Sequence, residues 1–234
     1  MPRQTAVLVV LVAAMDLWPG ALRAQSVAAT AVPEPASWGV EPTRLFLAPT
    51  ARSVPRGHGS FGLTEIAFPW VEVGLLDRIS VRTFVTPPLE DLTNAGIVVG
   101  PKLQLVRESH LQAAIGVFQQ FGSGWGGVGY GVVTIGGRDT SATIGFGYGY
   151  GEVVDSGGSK AVVFVGAEKA IGRRARLVLE GYLGGEAFGL PEQTLMAGTR
   201  LSFGRWSLDL GAVIPFYETG SGTPFPIATL GRAF

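Results

Sequence analysis

From Thr43 to Phe234 apolar residues recur at every second place in segments of about ten residues, with turn residues between them. A period of two gives a strand two unlike faces, so such a chain folds as antiparallel sheet. The segments run 43–50, 59–76, 79–86, 95–107, 111–121, 125–136, 140–151, 160–170, 174–185, 192–203, 206–216 and 225–234, an expectation of about twelve strands. Ten tilted residues rise roughly 25 Å, enough to cross the apolar part of a bilayer. The turns alternate between two classes. Tight ones lie around Asp77-Arg78, Ser109, Arg138, Gly172-Arg173 and Gly204-Arg205; longer ones run 51–58, 87–94, 152–159, 186–191 and 217–224, with 122–124 a short member of the second class.

The first residues carry Arg3, an apolar run from Ala6 to Ala14, the breaker Pro19-Gly20 and the small Ala24, which reads as a secretory signal peptide over 1–24. Residues 25–42, rich in alanine and proline and without periodicity, read as a flexible periplasmic leader, and 43–234 as the folded part. After Ala24 no apolar run is long enough to span a bilayer as a helix. An exported chain of this kind is either soluble or a closed barrel in the bacterial outer membrane. Strand length and alternating turn length favour an all-β, closed antiparallel transmembrane barrel, short turns facing the periplasm. Charged residues make up 15 %, below the roughly 25 % of ordinary soluble domains. Lysine plus arginine equals aspartate plus glutamate at 18 each, which leaves no overall field to attract nucleic acid. The chain has no cysteine, hence neither disulfides nor thiolate metal sites.

Neighbouring strands must present their apolar faces to lipid together, because a slip of one residue turns half of a strand's lipid face inward. That requirement sets the pairing of each tight hairpin. Around Gly204-Arg205, Phe203 meets Trp206, Leu201 meets Leu208 and Leu195 meets Ile214, which puts Arg200 against Asp209 on the inner face. Around Asp77, Leu75 meets Ile79 and Val73 meets Val81, which puts Glu72 against Arg82. Around Gly172, Val165 meets Leu179 and Ala167 meets Leu177, so Glu168 faces Arg176. These ion pairs form an expected charged belt in the lumen, where an unmatched charge is costly. Lys102 faces Gly116 on the same side, with Glu65 and Glu180 as candidate acidic neighbours.

Residues 143–153, TIGFGYGYGEV, set Gly145, Gly147, Gly149 and Gly151 between Phe146, Tyr148 and Tyr150. Matching Tyr130 with Phe146 and Val128 with Tyr148 brings Gly127, Gly129 and Gly131 opposite Gly149, Gly147 and Gly145. The expectation is a bare patch on the lumen side that admits the charged belt or an inward-folded segment, with the rings toward lipid.

The signal peptide, the alternation and the last residue of ATLGRAF together resemble bacterial outer-membrane β-barrel proteins. The resemblance implies the outer membrane as location, its lipid as surroundings, and Phe234 as the aromatic terminus presented to the barrel-assembly machinery; Arg232 departs from the apolar residue expected two places earlier. More narrowly, RLFLAPTARSVPRGHGSFG, with Pro49-Thr50-Ala51-Arg52 and the Gly57/Gly59 pair, is similar to an N-terminal motif of a poorly characterised group of such barrels. It implies no known activity.

Catalytic readings fare poorly. A nucleophilic serine needs a base within hydrogen-bond reach, and the chain has two histidines, His58 in an expected outer loop and His110 in a periplasmic turn. At opposite ends they share neither a catalytic site nor a metal. Of the candidate acids Glu72, Glu168, Glu180 and Asp209, three have cationic partners in the registers above, which makes them poor proton donors at neutral pH. The glycine repeats lack the following helix that a phosphate loop requires. The expectation is a non-enzymatic barrel without cofactor or metal, structural or a narrow small-solute pore with a charged lumen belt. An outer-membrane enzyme acting on lipid or a surface substrate, and a soluble secreted β-protein, are the alternatives.

Overall fold

The computed structural model describes residues 43–65, 68–86, 96–122, 124–152, 161–184, 190–191, 193–217 and 220–234; the expected signal peptide and leader, and most of the longer loops, lie outside these. The strands are β1 (Gly59–Thr64), β2 (Phe68–Leu76), β3 (Ile79–Thr86), β4 (Gly96–Arg107), β5 (Leu111–Phe121), β6 (Gly126–Gly136), β7 (Thr140–Gly151), β8 (Ala161–Ala170), β9 (Ala175–Leu183), β10 (Gln193–Phe203), β11 (Trp206–Tyr217), β12 (Gly220–Ser221) and β13 (Phe225–Ala233). Each pairs antiparallel with its sequence neighbour up to β11; β13 then pairs with β11 on one side and β1 on the other, which closes the wall. The two-residue β12 extends β11 at its loop end, so the barrel wall has twelve strands.

The strand count agrees with the alternation, but two of its members differ. Residues 59–76 form two strands, because eighteen residues of extended chain would reach roughly 60 Å. The chain reverses at Glu65, whose φ of 52° is rare for a residue with a side chain. Residues 43–50 are no wall strand: Leu45-Phe46-Leu47 breaks the alternation, and this stretch is buried inside the barrel. The segment 51–58 is consequently not an outer loop. It runs down the lumen to the turn side, where Gly57 donates to Gly74 O and Gly74 to His58 O. His58 and His110 are therefore at the same end of the barrel, not at opposite ends.

Outside, the wall is apolar. Ile115, Ile144, Phe146, Tyr148, Leu210 and Leu230 all face away from the lumen and are exposed. Exposed aromatics mark both ends, Trp125 and Phe225 on the loop side, Phe203, Trp206 and Phe234 on the turn side. Arg232 belongs to the turn-side girdle, its guanidinium 5.3 Å from the Trp206 ring centre. A closed barrel with this exterior has the form of an outer-membrane barrel, its backbone paired throughout and its apolar side turned outward.

Register separates the hairpins. β10 and β11 pair as the lipid-face argument requires, with Arg200 opposite Asp209. β2 and β3 place Glu72 opposite Arg82, with a bulge between Gly74 and Leu76 that seats Leu76, not Leu75, against Ile79. In β8 and β9 Glu168 lies opposite Val178, and Arg176 opposite Ala170, two residues from the expected pairing. The β6–β7 hairpin is displaced by one: Tyr130 meets Gly147 and Gly131 meets Phe146. Only the β7 glycines face the lumen. Gly129 and Gly131 look outward into open space, while Val128, Tyr130 and Val132 fill the inside. The expected six-glycine patch does not exist, because Gly136, at φ 107°, pairs with Ser141 and leaves an even-numbered turn that inverts the parity.

Candidate functional site

A twelve-strand barrel is too wide for wall side chains alone to fill, since about eight strands is the size they just fill. Here the chain's own residues 43–54 occupy the middle. The segment folds on itself, Leu45 N–H donating to Ala48 O and Thr50 N–H to Thr43 O, both at 2.9 Å. A tight turn of this kind leaves other backbone groups unpaired inside the barrel, and each needs a partner from the wall.

The wall supplies them mostly from charged side chains. Glu180 on β9 accepts from three successive backbone N–H groups, Phe46 at 2.6 Å, Leu47 at 3.1 Å and Ala48 at 3.0 Å, and from the Tyr182 hydroxyl. Convergence of consecutive amides on one anion is a backbone nest. Arg200 on β10 does the reverse for carbonyls: its Nη2 donates to Leu45 O at 2.6 Å and its Nη1 to Arg44 O at 3.3 Å. The same guanidinium holds Asp209 through two hydrogen bonds, at 2.7 and 3.0 Å, and Glu168 at 2.8 Å. Arg44 meets Asp209 at 2.9 Å from the segment's side, and Arg52 approaches Glu168 at 3.6 Å while donating to Gly137 O. On β4, Lys102 Nζ donates to Thr43 O and Thr50 O, and Thr43 Oγ1 donates to Glu72 at 2.7 Å. Ala51 N–H is taken by Thr134 Oγ1.

Shape follows the same logic. A Cβ on Gly166 would lie 2.2 Å from Leu45 Cδ1, and one on Gly211 2.9 Å from the Phe46 ring, so both wall positions are bare where the segment presses in. Leu45, Phe46, Ala48 and Ala51 share one buried apolar cluster with Tyr130, Phe164, Tyr182 and Met196.

The inner charged residues expected from the sequence thus have positions, though not all the expected partners. Arg200 and Asp209 are together. Glu72 is opposite Arg82 in register, but its carboxylate goes to Thr43 and, at 3.8 Å, to Lys102. Arg82 instead lies over the Trp70 ring at 5.0 Å. Glu168 and Arg176 are apart: Arg176 donates to Arg138 O at the turn end, and Glu168 faces Arg200 and Arg52. Lys102 is opposite Gly116 and reaches neither Glu65 nor Glu180; Glu65 accepts from Ala228 N–H at the loop end. The alternation does not place Arg44, Arg52 and Thr43 among the lumen groups. Their signal was available in the unbroken Leu45-Phe46-Leu47 run and in Pro49, neither suited to a wall strand. Among the described residues no cluster of histidine, cysteine, aspartate or glutamate could hold a metal ion.

On the loop side of the segment lies a cavity of about 600 Å³, floored by Leu47 and lined largely by apolar side chains, among them Trp70, Phe84, Phe118, Met196 and Val213.

No protein-family model and no curated protein matches the sequence. Among solved structures, the chain is similar to a KdgM porin in complex with disordered oligogalacturonate, at 7% identity and a TM-score of 0.52, covering 76% of this chain and 96% of that one. A second KdgM porin structure gives 9% identity and 0.52, covering 76% and 96%, and a NanC porin 9% and 0.51, covering 76% and 98%. At such identities the likeness is one of fold, a closed twelve-strand antiparallel barrel of the outer-membrane type.

Proposed function

We propose that the chain is an outer-membrane small-solute pore held shut at rest by its own residues 43–54, with the charged belt of the lumen as the latch. The observation that carries this reading is the grip on the segment's backbone: Glu180 takes three consecutive N–H groups and Arg200 two consecutive carbonyls. Wall charges that served only to hold the wall together would bond to each other alone. Glu72, Lys102, Glu180 and Arg200 each bond to the segment as well. The fold shared with porins supports passage of solute; the bound oligogalacturonate of one KdgM structure belongs to that protein, and the apolar loop-side cavity here suits a less polar solute. On this reading Pro49-Thr50-Ala51-Arg52, the stretch similar to a poorly characterised group of barrels, is the lower half of the plug. Phe234, hydrogen-bonded to Gly59 at the turn end, is the residue offered to the assembly machinery.

Planar-bilayer recording tests the proposal. Wild-type protein is expected to be closed for most of the record, and a variant lacking residues 43–55 to show discrete steps, with Arg200→Met between the two. Heat-modifiable gel migration verifies that each variant is a folded barrel. Wild-type steps as large and as frequent as those of the deletion variant would sink the plug.

A further inference from the structure

The loop-side cavity carries a second reading. Its volume of about 600 Å³ lies inside the roughly 300–1,000 Å³ of small-molecule sites, which are mostly apolar with a few convergent polar groups. The convergent group here is Arg82. Its register partner Glu72 is taken by Thr43 and Lys102, and its guanidinium lies on the Trp70 ring. Arg82 Nε and Trp70 Nε1 are both buried without a hydrogen-bond partner among the described residues. Both side chains line the cavity, and because polar groups of buried side chains are nearly always paired, an arginine without an acceptor beside an apolar cavity marks the place for one. Charge points the same way. Among the described lumen groups Arg44, Arg52, Lys102 and Arg200 contact the carboxylates of Glu72, Glu168 and Asp209, Glu180 is held by backbone amides, and Arg82 has no carboxylate within salt-bridge distance. Among the described residues lining the cavity the one carboxylate is Glu65, which already accepts from Ala228 N–H.

We propose that this cavity binds a small anionic amphiphile, its apolar body among Phe84, Phe118, Met196 and Val213 and its carboxylate-type head on the Arg82 guanidinium. The ligand is a free solute and not a membrane lipid, because every pair of neighbouring wall strands is hydrogen-bonded and the lumen has no lateral door. The inference names the solute of the pore proposed above and rests on that reading for passage alone. Binding is measured with the plug in place, so a failure here leaves plug gating untouched, and a conducting wild type leaves binding untouched.

Calorimetric titration of the full chain in a neutral amphipol, with octanoate, octanol and octylammonium as probes, tests it. Octanoate is expected to bind saturably, at least tenfold more tightly than octanol, and octylammonium not at all. Arg82→Met should weaken octanoate roughly ten- to a hundredfold, the worth of a charged hydrogen bond, and leave octanol unchanged. Arg82→Lys should lie between. Val98→Trp, which fills the cavity, should remove both ligands. Equal affinity for octanoate and octylammonium, or octanoate affinity indifferent to Arg82→Met in protein that still shows heat-modifiable migration, would overturn the site. Loss of octanoate binding in phosphatidylglycerol nanodiscs would give the cavity to lipid and overturn the assignment to a free solute.

Discussion

Glu180→Gln isolates the latch. In the wild type the two carboxylate oxygens share the donors, Oε2 taking Phe46 and Leu47 and Oε1 taking Ala48 and Tyr182. A glutamine keeps one oxygen and turns an NH₂ toward the other pair, so two hydrogen bonds become donor-to-donor contacts. Hydrogen bonds to a charged group contribute about 1.5–3 kcal/mol each, which makes the loss about 3–6 kcal/mol. The neutral amide is easier to desolvate than the buried carboxylate, and that offsets part of the loss. The low end, about 3 kcal/mol, is therefore the expected weakening of plug docking. At 1.36 kcal/mol per factor of ten this is roughly a hundredfold rise in the undocked population. Amide hydrogen exchange reads it directly, because Phe46, Leu47 and Ala48 are protected only while docked. Peptides covering 44–50 should exchange about a hundredfold faster in the variant, and peptides from β10 and β11 at the wild-type rate. If the segment's exchange changed by less than about threefold, or the wall accelerated equally, Glu180 would not be a latch.

Two further substitutions test the wall. Gly145→Ala drives a Cβ to 2.0 Å from the Phe164 ring and should cost about 1–3 kcal/mol in urea unfolding, most of it recovered when Phe164→Leu is added; Gly131→Ala, with open space around its Cβ, should stay within about 0.5 kcal/mol. Phe146→Arg, on the exposed outer face at the middle of β7, should lower stability in phospholipid by about 2–4 kcal/mol, and a neutral result would contradict lipid on that face.

What could be read from the sequence was whatever a period of two encodes. It separates inside from outside, and it set the β10–β11 register because Phe203, Leu201, Leu195 and their partners are unambiguously lipid-facing. A shift of two residues preserves every face, which is why alternation could not choose between Glu168 opposite Arg176 and Glu168 opposite Val178. β6 departs from the alternation for the converse reason. The pattern of rings puts Tyr130 outside with the others, but it stacks on Phe118 at 5.2 Å over the bare Gly116, so an aromatic there serves the inside. The latch was legible only as isolated charges. Nothing local to Glu180 reveals that its partners are the backbone of residues 46–48, more than a hundred positions earlier in the chain.

The charged belt and the plug follow from one constraint. Twelve strands enclose more space than their inward side chains can fill, so the middle must hold water or more chain. Chain packed into a dry lumen brings backbone N–H and C=O groups that a regular sheet would have paired, and uncharged wall residues such as Thr134 satisfy only a few of them. Carboxylates and guanidinium groups do better, since one Glu180 serves three amides and one Arg200 serves two carbonyls along with Asp209 and Glu168. Those same groups are tolerable in a water-filled lumen, where they would be solvated. On the proposed function, a latch made of charge would hold the plug when the lumen is dry without penalising the open barrel, which an apolar latch of equal strength would.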